Sequence, residues 1–310
     1  IFEERQQVVE SIFRNLGGAS EYYDVAPSVE SSSKDHLVEA CATGFLAAFH
    51  TCVKLTIKSS RQDVTFGMKE SYQINIRSNG VVELAASNYV GALHALESLS
   101  QLFRFDSTTE RHYMPLSCAI TDRPRFPHRG LLIDTGRHFL PIKFVKRIID
   151  SLRMNKLNVL HWHLTDNQAW PYHSEIFAEI AEAGAVSQLE QYTVKELRYI
   201  VDYAAKRGIR IVAELDQPGH AASLYKSHPE LFACAVEAAG HFDVALDPNN
   251  PKAFAFMYRL MDEFLGIFSD SHVHIGTDET PYKCYKESLA RIKDSSDVAV
   301  SDAGGDEVSA

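Results

Sequence analysis

Two adjacent carboxylates, Asp278 and Glu279, follow the apolar segment Val273-His-Ile275 and the dipeptide Gly276-Thr277. Neighbouring acids are common on surfaces, where water solvates both, but a position just after an apolar strand and a glycine points to a site. Three more polar clusters follow short apolar runs. They are Asp134 with Arg137 and His138, His161-Trp-His-Leu-Thr-Asp166, and Glu214-Leu-Asp216 with Pro218-Gly-His220. Taken singly, His161 or His163 fits a hydrogen-bonded core histidine, and Arg137 fits a strand cap or a pair with Asp134. Glu214, inside an apolar run, needs a partner wherever it is buried. Three chemistries compete. His161-x-His163 with Asp166 has metal-ligand spacing, a reading that wants further histidines from later strands. The carboxylates could instead cleave a glycoside, one protonating the leaving oxygen and another stabilising charge at the anomeric carbon. Chain neighbours cannot easily flank one sugar ring as acid and nucleophile, so Asp278-Glu279 suits a substrate that brings its own nucleophile. The third reading is a degenerate binding pocket.

The elements that must position these residues alternate after a Pro-rich junction at Asp122-Arg-Pro-Arg-Phe-Pro127. Gly130–Asp134 reads as a strand buried on both faces. Pro141 can start a helix carrying Ile142, Val145, Ile148, Ile149 and Leu152 on one face. Leu157–Leu160 is a second strand. Thr193 and Glu196 form a capping box for a helix closed by Gly208. Ile209–Ala213 is a third strand, 252–268 a helix and Val273–Ile275 a fourth strand. Repeated strand–helix units predict a parallel α/β sheet with its polar clusters at the strand C-terminal ends, as in a (β/α)8 barrel of TIM type. Before the junction, Ser71–Arg77 alternates with period two and Asn79-Gly80 makes a turn into Val81–Leu84. A helix with an apolar stripe then runs from Tyr89 to Phe103. That is a small α+β domain with nothing chemical in it. The expected organisation is an accessory α+β domain over 1–120, about the first four βα units of a barrel over 121–293, and an acidic, solvated tail over 294–310.

Composition sets the bounds. The 310 residues are 45% hydrophobic and 23% charged, with 31 Lys and Arg against 41 Asp and Glu, a formal charge of −10. An acidic chain is a poor nucleic-acid binder, and no apolar run approaches the ~18–20 residues of a membrane span. Ile1 opens the chain without a charged-then-apolar leader, so any targeting segment is expected to have been removed or left out. Of five cysteines, one must stay unpaired within the chain. Cys41 and Cys52 are expected near one helix, where eleven residues would span ~16 Å, too far for a disulfide unless the helix ends between them. Cys118 has no evident partner.

With these motifs in view, the chain resembles the family 20 glycoside hydrolases, the β-N-acetylhexosaminidases, in their eukaryotic lysosomal-type form. The resemblance rests on 127–139 (PHRGLLIDTGRHF), 156–166 (KLNVLHWHLTD), 214–220 (ELDQPGH) and 274–279 (HIGTDE), in that order. It implies a retaining exo-hydrolase of terminal β-linked GlcNAc or GalNAc, acting on a glycan or chitooligosaccharide. Glu279 is implied as general acid and later base. Asp278 is implied to orient the substrate's 2-acetamido group, whose carbonyl oxygen attacks to give an oxazolinium intermediate. Arg129 would bind sugar hydroxyls, and Asp166 with His220 would form a relay to Glu279. A Cys234–Cys284 bridge is also implied, as is a lysosomal or secreted location. No cofactor or metal is required, which disfavours the His-x-His metal reading.

Two departures stand out. Thr277 occupies a place where the family usually has glycine, and a β-branched residue restricts the backbone there. About 170 residues lie between Arg123 and Lys293, against ~250 for a whole barrel. The aromatic walls of the family's sugar pocket come from its later half, whereas Trp162 and Trp170 both precede the acids. Half a barrel exposes a strand edge, so either a second polypeptide completes it or the chain is a truncated product lacking its C-terminal half; the first is expected, with a dimer as a further possibility. The rival reading is a catalytically silent glycan-binding or scaffolding half-barrel.

Overall fold

The structure, a computed structural model, describes residues 36–41, 52–59, 64–238, 241–281, 283–286 and 288–290. The expected acidic tail lies outside them. The chain divides into two compact units. One comprises Ile1–Leu131, Lys146–Val159 and Asp202–Arg210, the other Leu132–Val145, Leu160–Val201 and Ile211–Ala310.

In the first unit the elements are β1 (His36–Cys41), β2 (Cys52–Ile57), β3 (Tyr72–Ile76), β4 (Val81–Ala86) and α1 (Tyr89–Leu102). The short hairpin β5 (Arg104–Asp106) and β6 (Arg111–Tyr113) follows, then β7 (Cys118–Asp122). The main sheet has the order β1-β2-β4-β3-β7. Period-two alternation buries Tyr72, Ile74 and Ile76 and exposes Gln73 and Asn75, as the sequence predicts. The β3–β4 turn uses Gly80 at φ 81°. Asn88 caps α1 by accepting from the amide of Gly91 at 3.0 Å. Leu93 is buried, and Leu96 and Leu99 pack against Ile74 and Leu84 in one core. A Cβ at Gly91 would stand 2.8 Å from the Ser71 carbonyl oxygen, so the helix approaches the sheet closely only without a side chain there. Cys41 and Cys52 correct the helical expectation. They end β1 and begin β2, directly opposite in an antiparallel pair. Cys118 is a free thiol.

From residue 130 onward come β8 (Gly130–Asp134), α2 (Ile142–Met154), β9 (Val159–Thr165), β10 (Tyr172–His173), α3 (Ala178–Gly184) and β11 (Tyr192–Thr193). They continue as α4 (Val194–Ala205), β12 (Arg210–Leu215), α5 (Ala222–Tyr225), the hairpin β13 (Phe232–Ala238)–β14 (His241–Leu246) and α6 (Pro251–Leu265). Thr193 and Glu196 form the expected box, the Thr193 amide donating to Glu196 Oε2 at 2.9 Å and the Glu196 amide to Thr193 Oγ1 at 3.2 Å. Strand order is β12-β9-β8. His274 adds a parallel bridge to Glu214, its amide donating to Ala213 O at 2.9 Å, so 273–275 takes the place of a fourth strand beside β12. Consecutive strands are thus neighbours. Two expectations change. β9 runs on through His161-Trp-His-Leu-Thr, so the histidines belong to the strand itself. β8 is not buried on both faces: Leu131 and Leu132 are about half exposed, because among the described residues no strand pairs with its outer side.

Candidate active site

The site is confined to the second unit and grows from strand geometry. Residues two apart share a face, so His161 and His163 of β9 lie on one side while Trp162 turns away, its indole donating to Thr135 Oγ1 at 3.0 Å. Glu214 and Asp216 at the end of β12 repeat the spacing. Glu214 is buried and ringed by imidazoles. His161 Nε2 lies 2.5 Å and His163 Nδ1 3.1 Å from Oε2, and His274 Nδ1 lies 3.0 Å from Oε1. Burial alone would raise its pKa, but hydrogen bonds from His161 and His163 and the charges of His163 and His274 hold the carboxyl well below its ordinary range.

His163 bridges two carboxylates, because its Nε2 also meets Asp166 Oδ2 at 2.7 Å. Carboxylates only accept, so both ring nitrogens must carry protons. Burial works against that charge, but the bonds to Asp166 and Glu214, with the Glu214 and Asp134 charges, push the imidazole up to about 10. Asp166 is fully buried and also receives Arg137 Nη2 at 2.9 Å. Arg137 pairs in turn with Asp134 at 2.8 Å and keeps 38% of its side chain exposed. A Cβ at Gly136 would fall 2.6 Å from the Asp166 amide, so the turn carrying Arg137 lies hard against the end of β9.

The network reaches the exposed acids through His220. Its Nδ1 is 2.7 Å from Asp216 Oδ2 and 3.9 Å from Asp166 Oδ2, and its Nε2 is 3.2 Å from Glu279 Oε2. Asp278 Oδ1 stands 3.7 Å from Nδ1. Burial opposes charge on His220, yet the Asp216 hydrogen bond and the Asp166, Asp216 and Asp278 charges raise its pKa. Asp278 and Glu279 themselves face solvent, with 68% and 80% of their side chains exposed. Behind them Cys284 is disulfide-bonded to Cys234 of β13, Cα–Cα 5.1 Å, which ties the segment after the acids to the β13–β14 hairpin.

The structure therefore brings together Asp166, His220, Asp278 and Glu279, and joins Cys234 to Cys284. It does not bring Arg129 to them. Arg129 directly precedes β8, and its guanidinium is occupied by Glu70 Oε2 at 2.5 Å and the carbonyls of Phe126 and Lys156 at 2.7 and 2.8 Å. The cation in the cluster is Arg137. Asp216, not Asp166, is the nearer carboxylate to His220. Sequence reasoning named Arg137, Asp216, Glu214 and His163 among the polar clusters without choosing them, although the strand-end rule already favoured Arg137 over a residue ahead of its strand. Among the described residues, four imidazole–carboxylate groupings could offer a metal three ligand atoms within 4.8 Å, such as His161, Glu214 and His274. In each, carboxylate oxygens already face imidazole nitrogens, an arrangement that ion pairing satisfies.

Residues 126–302 match the catalytic domain of glycosyl hydrolase family 20, and 20–102 match a region described as beta-acetyl hexosaminidase like. The β subunit of human beta-hexosaminidase is 38% identical over 228 residues, covering 73% of this chain and 40% of that protein. The mouse β subunit is 36% identical over 236 residues, covering 75% and 44%. Among solved structures, a Flavobacterium johnsoniae chitobiase superposes with a TM-score of 0.70 at 34% identity, covering 79% of this chain and 37% of its own. A family 20 exo beta-N-acetylglucosaminidase from Vibrio harveyi gives 0.63 at 30%, covering 74% and 39%. The chain spans less than half the length of these relatives, and within that span its motifs, strand order and polar cluster make it a member of glycosyl hydrolase family 20.

Proposed function

We propose that this chain carries the acid half of a retaining exo-β-N-acetylhexosaminidase that releases terminal β-linked GlcNAc or GalNAc by substrate-assisted catalysis. The supporting observation is Glu279 at 3.2 Å from His220 Nε2, with Asp278 beside it. In this reading Glu279 gives its proton to the glycosidic oxygen as that bond breaks. The acetamido carbonyl oxygen attacks the anomeric carbon, and the positive oxazolinium forms next to the Asp278 carboxylate. Water then adds on the opposite face with Glu279 as base, which returns the proton and retains configuration. Adjacent acids suffice because the second nucleophile belongs to the substrate. Arg137 replaces Arg129 as the arginine for sugar hydroxyls, since its partly exposed guanidinium sits among the site carboxylates while that of Arg129 is spent on Glu70.

The barrel and its sugar-enclosing walls are completed, in this proposal, by further polypeptide. The exposed outer side of β8 and the half-exposed His274 and Ile275 favour it. Pairing with a second subunit is proposed from relatives that are named as subunits. A lysosomal or secreted setting accords with the disulfide; no described helix is long and apolar enough to cross a membrane. The openness of Asp278 and Glu279 favours a second reading, a silent glycan-binding half-barrel.

The deciding experiment takes the protein as isolated, measures its native mass and assays an aryl N-acetyl-β-glucosaminide beside the matching aryl β-glucoside. Turnover of the first alone, lost ~10²–10⁴-fold in Glu279→Gln with binding retained, supports the enzyme. Activity that survives Glu279→Gln removes the acid assignment, and binding without turnover in a lone 34.7 kDa species favours the silent reading.

A further inference from the structure

We propose that Asp216 is a positioning residue that sets both partners of the His220–Glu279 contact, orienting the imidazole through one carboxylate oxygen and anchoring the acid loop through the other. Its Oδ2 faces His220 Nδ1 at 2.7 Å, and its Oδ1 accepts the backbone N–H of Thr277 at 3.2 Å. A carboxylate acceptor fixes the hydrogen on Nδ1. Nε2 then becomes the nitrogen that exchanges a proton with Glu279. Asp166, the nearest alternative orienter, is 3.9 Å from the same nitrogen and already takes His163 and Arg137.

Anchoring by Oδ1 explains the loop's shape. Gly276 has φ +67°, and a Cβ there would lie 1.5 Å from Asp216 Oδ1, so the carboxylate fills the space that a side chain would need. Thr277 follows at φ 85° and Glu279 at 47°, while His220 itself sits at 49°. Of these three non-glycine residues in the left-handed region, Thr277 and His220 bond one buried aspartate that is 2% exposed and Glu279 joins them through His220, a junction held by its surroundings. The charged groups facing His220 are Asp216 at the end of β12, Asp166 after β9 and the loop acids Asp278 and Glu279, with Arg137 behind Asp166.

The proposal rests on Glu279 as the acid only for its catalytic consequence, and the test separates the two. In the full chain labelled with ¹⁵N-histidine, His220 is assigned by its loss in His220→Gln. It is expected as the Nδ1–H tautomer, with a titration midpoint above that of an ordinary histidine. Asp216→Asn keeps an acceptor for Thr277 but presents an amide to the imidazole. It should move His220 to the Nε2–H tautomer and lower its midpoint. In the preparation that turns over the aryl N-acetyl-β-glucosaminide, the same variant should lower kcat by ~10²-fold or more, shift the pH profile and leave KM within a few-fold. An Nε2–H tautomer in the unmutated chain overturns the proposal, and so does an unchanged midpoint in Asp216→Asn. If the His220 shifts appear while Glu279→Gln stays active, the orienting role stands and the acid assignment falls.

Discussion

Glu70 in the first unit and Glu214 in the second are both buried glutamates, each bonded to three nitrogen-bearing side chains. Glu70 takes His94 Nε2 at 2.8 Å, Arg129 Nη2 at 2.5 Å and Asn158 Nδ2 at 3.0 Å. Glu214 takes His161, His163 and His274. In both, burial pushes the carboxyl up and the donors outweigh it, so each stays ionised. They differ in where the partners lead. Around Glu70 the remaining donors of Arg129 end on backbone carbonyls, and the network closes on itself. Around Glu214 it passes through His163 to Asp166 and Arg137, whose face is open. Beside it Asp216 and His220 lead to the exposed Glu279. A closed ion-pair network supports structure, whereas one that ends on solvent-facing acids can move protons.

The sharpest way to break this comparison is to remove each centre. Glu70→Ala leaves Arg129 and the buried His94 without their anion and should cost about 3–5 kcal/mol in chemical denaturation. A midpoint within error of the unmutated chain would show that the network is not closed as described. Separating the arginines sharpens the same contrast. Arg129→Met should lose about 2–4 kcal/mol of stability, since it strands Glu70. Arg137→Met is expected to change stability by less than about 1 kcal/mol, because its side chain is partly solvent-screened, while raising KM at least tenfold in an active preparation. Equal effects on stability and KM from both variants would erase the distinction.

The pH dependence of stability comes next in size. His163 is raised from 6.5 to about 10, so its contribution is whole below about 6.5 and fades as pH rises through 10. Glu214 is lowered from 4.5, so its contribution is whole above that value and fades as pH falls below it. Thermal midpoints should therefore form a plateau between about pH 4.5 and 6.5 and decline on both sides. The alkaline decline should flatten in His163→Gln. A midpoint that keeps rising from pH 6.5 to 10 would contradict the doubly bonded imidazolium.

Much of this was legible in the sequence where periodicity or local chemistry decides the outcome. The β3–β4 hairpin announced itself by Asn79-Gly80 and alternation, and α4 by its Thr193–Glu196 box. The strand-end clusters announced the site. What failed depended on partners distant in sequence. Leu131 and Leu132 read as buried because apolar runs imply two covered faces, and no residue type records that, among the described residues, no strand pairs with the outer side of β8. Cys41 and Cys52 read as helical because their pairing needs a register that local propensity does not encode. Arg129 and Arg137 lie eight residues apart in one motif, and Glu70, the group that occupies the first of them, sits 59 residues upstream.

Thr277 is the smallest of these effects and probes the junction between the two behaviours. Its φ of 85° lies where glycine is at home and a β-branched residue is strained. Replacing it by glycine removes strain of about 1–2 kcal/mol and returns part of that as unfolded-chain entropy, a net gain of about 0.5–1 kcal/mol. Thr277 is exposed and uses its amide, not its side chain, to bond Asp216, so the substitution should leave that contact in place. The melting midpoint should rise by about 1–3 °C with the His220 titration unchanged. A fall in stability would mean that the threonine side chain, rather than the Asp216 bond to its amide, keeps the acid loop in its left-handed turn.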